Sequence, residues 1–191
     1  MQAGELQQVT GTDQNWTLFL DRDGVLNVET LNEYVLNTRG FVFLDRVKEA
    51  LRLLNGLFGR LVLVTNQRGV SKGLMTVEDL EAIHAHMVGE IVLEGGRLDK
   101  IYYCTDGNND SPNRKPNPGM AHQARLDFPD IDFSRSIMVG NKLSDMAFGR
   151  NAGMRTCFIA STNPETPFPH PDIDYRFNSL YDFACAVAAA R

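Results

Sequence analysis

The chain is poor in several things, and each shortage removes a class of protein. Of its 191 residues only three are cysteine, Cys104, Cys157 and Cys185, far apart and without a C-x-x-C pair. An odd, scattered set builds no disulfide framework and fits a reducing compartment. No apolar run approaches the ~20 residues that span a bilayer. The opening stretch MQAGELQQVTGTDQN lacks the basic and apolar regions of a secretory signal, so a cytoplasmic location is expected. Positive charge is short as well: 19 Lys and Arg face 24 Asp and Glu, a formal net charge of −5. That excludes the broad basic surface of a nucleic-acid partner, and no basic amphipathic helix suits a membrane surface. There is no Walker-type glycine loop, no internal repeat and no interdomain linker. A small anionic substrate would be captured by local charges, and a monomer is the expected state.

What is present suits one medium α/β domain, residues 16–191, behind a loose arm of residues 1–15, with 43% hydrophobic residues for a core. Short apolar runs read as buried strands at 16–20, 60–65, 100–104, 136–140 and 156–160, with a last edge strand near 174–178. Between them lie helical patterns. Val47, Ala50, Leu51, Leu54, Leu57 and Phe58 recur at three- and four-residue spacing, and Gly59 is a plausible stop. Thr76 and Asp79 open a long helix over 76–94 as a relative of the capping box. Further helices are read at about 118–126, 144–152 and 179–190. Alternating strands and helices predict a Rossmann-like, mostly parallel sheet with helices on both faces and ligands beyond the C-terminal strand ends.

Those ends carry the chemistry. The first strand stops at Asp21-Arg22-Asp23-Gly24, the second at Thr65-Asn66-Gln67 before Arg68, and the third leads through a polar loop to Arg114-Lys115. The fourth ends in Gly140-Asn141-Lys142, with Asp145 just beyond. Singly, each has a commonplace reading. Asp-x-Asp-Gly is usually a turn, Thr-Asn after a strand is another, Lys115 beside prolines suits a solvated loop, and Asp145 suits a helix N-terminus. Together, in this order, they suit phosphoryl transfer. One carboxylate attacks phosphorus, and a second carboxyl two residues on protonates the leaving oxygen and then deprotonates water. Mg²⁺ on oxygen ligands removes the repulsion between acids and phosphate, and a hydroxyl and a lysine steady the phosphoryl oxygens.

The motifs LDRDG, VTNQ, RKPNPGM and VGNKLSD resemble, in order, the four motifs of the haloacid dehalogenase (HAD) superfamily of phosphohydrolases, over roughly residues 16–185. With TNQRGVSKG and IYYC, the chain is most similar to the heptose-bisphosphate and histidinol-phosphate phosphatase subgroup. The resemblance implies Asp21 as nucleophile and Asp23 as general acid/base. Thr65 and Asn66 would meet the phosphoryl group, and Lys115 would bridge nucleophile and phosphate. It implies a Mg²⁺ site of Asp21, the Asp23 carbonyl, Asn141 and Asp145, and substrate contacts from Arg114 and from Gln67, Arg68 and Lys72 of loop 67–73; Lys142, adjacent to the metal position, is read either as a phosphate contact or as a solvated lysine. No large cap insertion is present, so an open site is expected. The implied activity is Mg²⁺-dependent hydrolysis of a small phosphorylated metabolite, such as a heptose bisphosphate, through an aspartyl-phosphate. Histidinol phosphate is the nearest alternative substrate.

Two departures from the subgroup stand out. Its structural zinc uses three cysteines and a histidine before the third motif, but here only Cys104 stands at such a position, with Asp106, Ser111 and Asn113 at the others. No zinc is expected, since one thiolate is not a site. Second, the fourth motif usually begins Gly-Asp, whereas this chain has Gly140-Asn141. An amide oxygen can ligate Mg²⁺ without adding charge, so weaker binding is expected. A weakened relative that only binds a phosphorylated ligand or a protein is the rival reading. His84 and His86, two apart on a helix, are read as surface side chains, and His122 as structural.

Overall fold

The computed structural model describes residues 9–29 and 33–191. The sheet is built from β1 (Thr17–Leu20), β2 (Arg60–Asn66), β3 (Lys100–Cys104), β4 (Ser136–Gly140), β5 (Arg155–Ile159) and β6 (Tyr175–Phe177). Their order is β3-β2-β1-β4-β5-β6, and every pairing is parallel. The strand order turns back between β1 and β4, and at such a switch point the loops leave a crevice. The motif-bearing ends of β1 and β4 are therefore neighbours, and the Asp21 amide donates to the Val139 carbonyl at 2.9 Å.

Five helices cover the sheet: α1 (Val47–Asn55), α2 (Val77–Leu93), α3 (Gly119–Asp127), α4 (Leu143–Ala152) and α5 (Leu180–Ala189). Side chains alternate along a strand, so the two faces feed separate cores. Leu18, Leu20, Leu61, Leu63, Ile137 and Val139 pack with the apolar stripes of α1, α2 and α5. Phe19, Val62, Val64 and Met138 pack with Met120 and Ala124 of α3 and Phe148 of α4. The Thr76–Asp79 capping box is present, with Thr76 Oγ1 accepting from the Asp79 amide at 3.1 Å and Asp79 Oδ2 accepting from the Thr76 amide at 2.9 Å.

Strands and helices fall within two residues of the ends read from the sequence, apart from the first helix, whose stop at Gly59 is overturned. There α1 ends at Asn55 because Gly56 closes it, its amide donating to the Leu53 carbonyl at 3.2 Å. Short 3-10 turns at Thr38–Gly40 and Phe133–Arg135 had no periodic signal. Of the expected N-terminal arm, residues 1–8 lie outside the described residues. The remainder packs on the domain, with Val9 fully buried in the core and Thr12 also buried. Among the described residues, no helix is long and apolar enough to cross a membrane.

Candidate active site

Lys115 anchors the site. Its side chain is 2% exposed, and its ammonium lies 2.7 Å from Asp21 Oδ1 and 2.8 Å from Asp145 Oδ1. It also donates to the Val64 carbonyl at 2.9 Å. Three separate strand ends thus converge on one nitrogen. The backbone of Lys115 is held just as firmly: Asn66 Nδ2 donates to its carbonyl at 3.1 Å, and its amide donates to Asn66 Oδ1 at 3.0 Å. Both ends of the Asn66 carboxamide are spent on this clasp. Asn66, expected to meet the phosphoryl group, thus uses its side chain to hold the lysine backbone.

Burial raises the Asp21 carboxyl to about 7, against the pull of Lys115 and with the push of the Asp145 charge. Lys115 itself is held above the usual ammonium range, because Asp145 and Asp21 outweigh the cost of its burial. With both acids ionised, Asp21, Asp145 and Lys115 together carry one net negative charge in a buried place. Asp145 is committed on both oxygens. Oδ1 meets Lys115, while Oδ2 accepts from the amides of Asn141 at 3.2 Å and Lys142 at 3.0 Å at the N-terminus of α4. Asp145, expected in the metal set, is thus braced by protein donors on both oxygens. Gly140 makes this possible: a Cβ there would lie 2.2 Å from Asp145 Cβ.

Asp23 is held by a different set. Arg22 Nη2 donates to its two oxygens at 3.0 and 3.1 Å, Asn27 Nδ2 at 3.0 Å, and Gln67 Nε2 at 2.9 Å. Despite burial, the Arg22 guanidinium and these donors hold the Asp23 carboxyl below its usual range. Gln67 Nε2 also donates to Thr65 Oγ1 at 2.8 Å, which joins the ends of β1 and β2.

Arg22 is 1% exposed and sends Nη1 to His84 Nε2 at 3.3 Å. Arginine can only donate, so the ring nitrogen accepts, and burial beside the guanidinium pushes His84 down to about 3. This corrects the surface reading of His84. Leu80, His84, Met87 and Ile91 lie at helical spacing and all are buried, so the stripe that places His84 inward was visible in the sequence. His86 is exposed beside the Phe41 ring, and His122 is exposed against Phe133.

Arg68 and Arg114 both hold the loop that follows β3. Arg68 Nη2 donates to the Gly107 carbonyl at 3.0 Å, and Arg114 Nη1 to the Asp106 carbonyl at 3.2 Å. Among the described residues neither is ion-paired, and burial together with the Arg68 charge lowers Arg114 from its usual value. A cavity of about 490 Å³ runs between loop 70–71 and loop 105–112. Lys72 is exposed, with its ammonium over the Tyr34 ring at 5.1 Å. Lys142 pairs with Glu29, a residue sequence reasoning missed because its partners lie more than a hundred positions away.

At the zinc-type positions the side chains bind one another. Ser111 Oγ donates to Asp106 Oδ2 at 2.5 Å, and Cys104 Sγ lies 3.7 Å from Asp106 Oδ2 and 3.9 Å from Ser111 Oγ. Asn113 Oδ1 instead accepts from Gln123 Nε2 at 3.2 Å. Among the described residues, no group of three or more His, Cys, Asp or Glu side chains is arranged to hold a metal ion.

Comparison with known proteins places this geometry. A family model described as HAD-hydrolase-like matches residues 112–182. A D-glycero-alpha-D-manno-heptose-1,7-bisphosphate 7-phosphatase of Mycobacterium bovis is 36% identical, over 92% of this chain and 93% of its own. The D-glycero-beta-D-manno-heptose-1,7-bisphosphate 7-phosphatase of Escherichia coli is 37% identical, over 89% and 92%. In three dimensions the chain matches a D,D-heptose 1,7-bisphosphate phosphatase of B. bronchiseptica complexed with magnesium and phosphate. That match has a TM-score of 0.84 at 26% identity, covering 92% of this chain and 99% of the other.

Proposed function

Since the chain belongs to the HAD-like hydrolase family, we propose that it hydrolyses the phosphomonoester of a small sugar phosphate, of the heptose 1,7-bisphosphate kind, through an aspartyl-phosphate on Asp21. One observation carries the reading: the Lys115 ammonium lies 2.7 Å from Asp21 and 2.8 Å from Asp145 at the switch point of the sheet.

The chain's own residues divide the work. Asp21 attacks phosphorus, and Lys115 keeps it aimed and balances charge on the phosphoryl oxygens. Arg22, Asn27 and Gln67 hold Asp23 as a carboxylate before substrate binds, so it is ready to take a proton from the attacking water, and it serves as acid to the leaving oxygen only once the charge of a bound phosphate raises it. Thr65 orients a phosphoryl oxygen through its hydroxyl. Arg68 and Arg114, two guanidiniums without carboxylate partners among the described residues, suit the second phosphate of a bisphosphate.

The donor set fits Mg²⁺. Asn141 Oδ1 is buried and has no hydrogen-bond partner. With the Asp21 carboxylate and the Asp23 carbonyl it offers hard oxygen ligands beside one net negative charge. Bound there, Mg²⁺ would offset the raised pKa of Asp21 and draw phosphoryl oxygens to it.

Phosphate release from both anomers of heptose 1,7-bisphosphate, and from histidinol phosphate, tests the reading. Asp21→Asn should lose turnover by several orders of magnitude while keeping its fold. An Asp21→Asn variant that turns over normally removes the covalent route, and absence of release from every phosphomonoester favours the weakened binding relative that Asn141 suggests.

A further inference from the structure

Asn141 brings no charge to a place where relatives of this motif pattern carry an acid, and the structure shows where a charge has gone instead. Asn141 is fully buried at the tip of β4, two residues beyond the carbonyl that accepts from the Asp21 amide. Its Nδ2 has two acceptors, Glu29 Oε2 at 2.8 Å and Thr162 Oγ1 at 2.6 Å. Both amide protons are thereby used, and Oδ1 is left buried and unpartnered. Its backbone carbonyl accepts from Asn163 Nδ2 at 2.9 Å, so the residue is held from both ends. The other Glu29 oxygen pairs with Lys142, whose side chain is 48% exposed while that of Glu29 is 18% exposed. A half-exposed ammonium is screened by water, so it offsets the Glu29 charge only in part.

We infer that Glu29 is a positioning residue that locks the Asn141 carboxamide with Oδ1 toward a divalent cation and supplies, one hydrogen bond further out, the negative charge that Asn141 does not. The inference rests on the reading of this centre as a divalent-cation phosphatase site. A carboxylate hydrogen-bonded to the far end of a ligand makes the ligand a better donor and fixes its rotamer. It also has a consequence that a simple loss of charge at position 141 does not. An acid placed there would face the Glu29 carboxylate across 2.8 Å, so restoring aspartate alone gains little.

The test is Mg²⁺ affinity by calorimetry without substrate, checked by Mn²⁺ electron paramagnetic resonance, on four proteins: wild type, Glu29→Gln, Asn141→Asp and the double variant. Glutamine can still accept from Asn141 Nδ2, so Glu29→Gln removes the charge and spares the fold. It should weaken Mg²⁺ by about tenfold. Thr162→Val, which removes only the second acceptor, should weaken it by about fivefold. Asn141→Asp should tighten binding far more in the Glu29→Gln background than alone. Affinity within twofold of wild type in Glu29→Gln overturns the inference, as does an equal effect of Asn141→Asp in both backgrounds. Wild-type protein that binds neither cation overturns the divalent-cation reading as well, whereas loss of turnover with the cation coupling intact would leave the inference standing.

Discussion

Replacing Lys115 by methionine keeps the length of the side chain and removes its charge. Two carboxylates, Asp21 and Asp145, then face each other in a buried place with no counter-cation. Breaking a buried ion pair by deleting one partner costs about 3–5 kcal/mol, which for a chain of this size lowers the melting temperature by roughly 6–20 °C. The deficit should depend on pH. In the wild type, burial already raises Asp21 to about 7 although Lys115 opposes it. Without the ammonium Asp21 titrates higher still. A carboxyl whose folded pKa lies above its unfolded value of 3.8 binds protons more tightly when folded. Its favourable contribution is complete below the unfolded pKa and is lost as pH rises through the folded one.

Thermal unfolding followed by circular dichroism at about pH 5 and about pH 8.5 therefore reads out the mechanism. Lys115→Met should trail the wild type slightly at the lower pH and by the full amount at the higher. A variant equally destabilised at both, or as stable as wild type throughout, would refute the claim that Lys115 is the charge partner of the two acids.

Three further outcomes follow from single contacts. His84→Leu strips the acceptor from a buried guanidinium nitrogen and should cost about 2 kcal/mol in denaturant unfolding, with kcat falling as Arg22 loosens its hold on Asp23. Gly24→Ala puts a Cβ 2.1 Å from Asn141 Nδ2 at a residue with φ of +81°, so it should lower the melting temperature and weaken Mg²⁺ binding together. Ser111→Ala removes the donor to Asp106 and should cost about 1 kcal/mol, with faster proteolysis of loop 105–117 and a higher KM at nearly constant kcat.

The sheet was legible because each strand is a short apolar run bounded by polar residues, and because the chemistry sits where the runs stop. The sequence did not show where side chains spend their hydrogen bonds. Nothing near Asn66 announces that its carboxamide makes two bonds to the Lys115 backbone, 49 positions away. His84 was readable in principle, since its spacing from Leu80 and Met87 places it on the buried stripe, but its partner Arg22 lies 62 positions back. Glu29 follows the first motif by only a few residues, yet its meaning depends on Asn141, 112 positions on. Local patterns fix elements; pairings between distant tips follow only once the topology brings those tips together.

The two departures from the family pattern have one physical feature in common. In each, a charged or metal-ligating group is missing and hydrogen bonds to nearby carboxylates occupy the space. At the fourth motif, Asn141 is held by Glu29 and Thr162. In the loop before the third, Asp106 accepts from Ser111, Arg114 donates to the Asp106 carbonyl, and Asn117 Nδ2 donates to the Ser111 carbonyl at 2.9 Å. A bound metal fixes its ligands in one geometry with a large free energy, whereas hydrogen bonds contribute about 1 kcal/mol each and can open one at a time. The loop that flanks the cavity is thus tied to Lys115 at one end by the Asn66 clasp and along its length by individually weak contacts. On the proposed function, the firmly held part of the site, around Asp21 and Lys115, would carry the chemistry. On the same reading, the loop around Asp106 and Arg114 would meet the rest of the substrate.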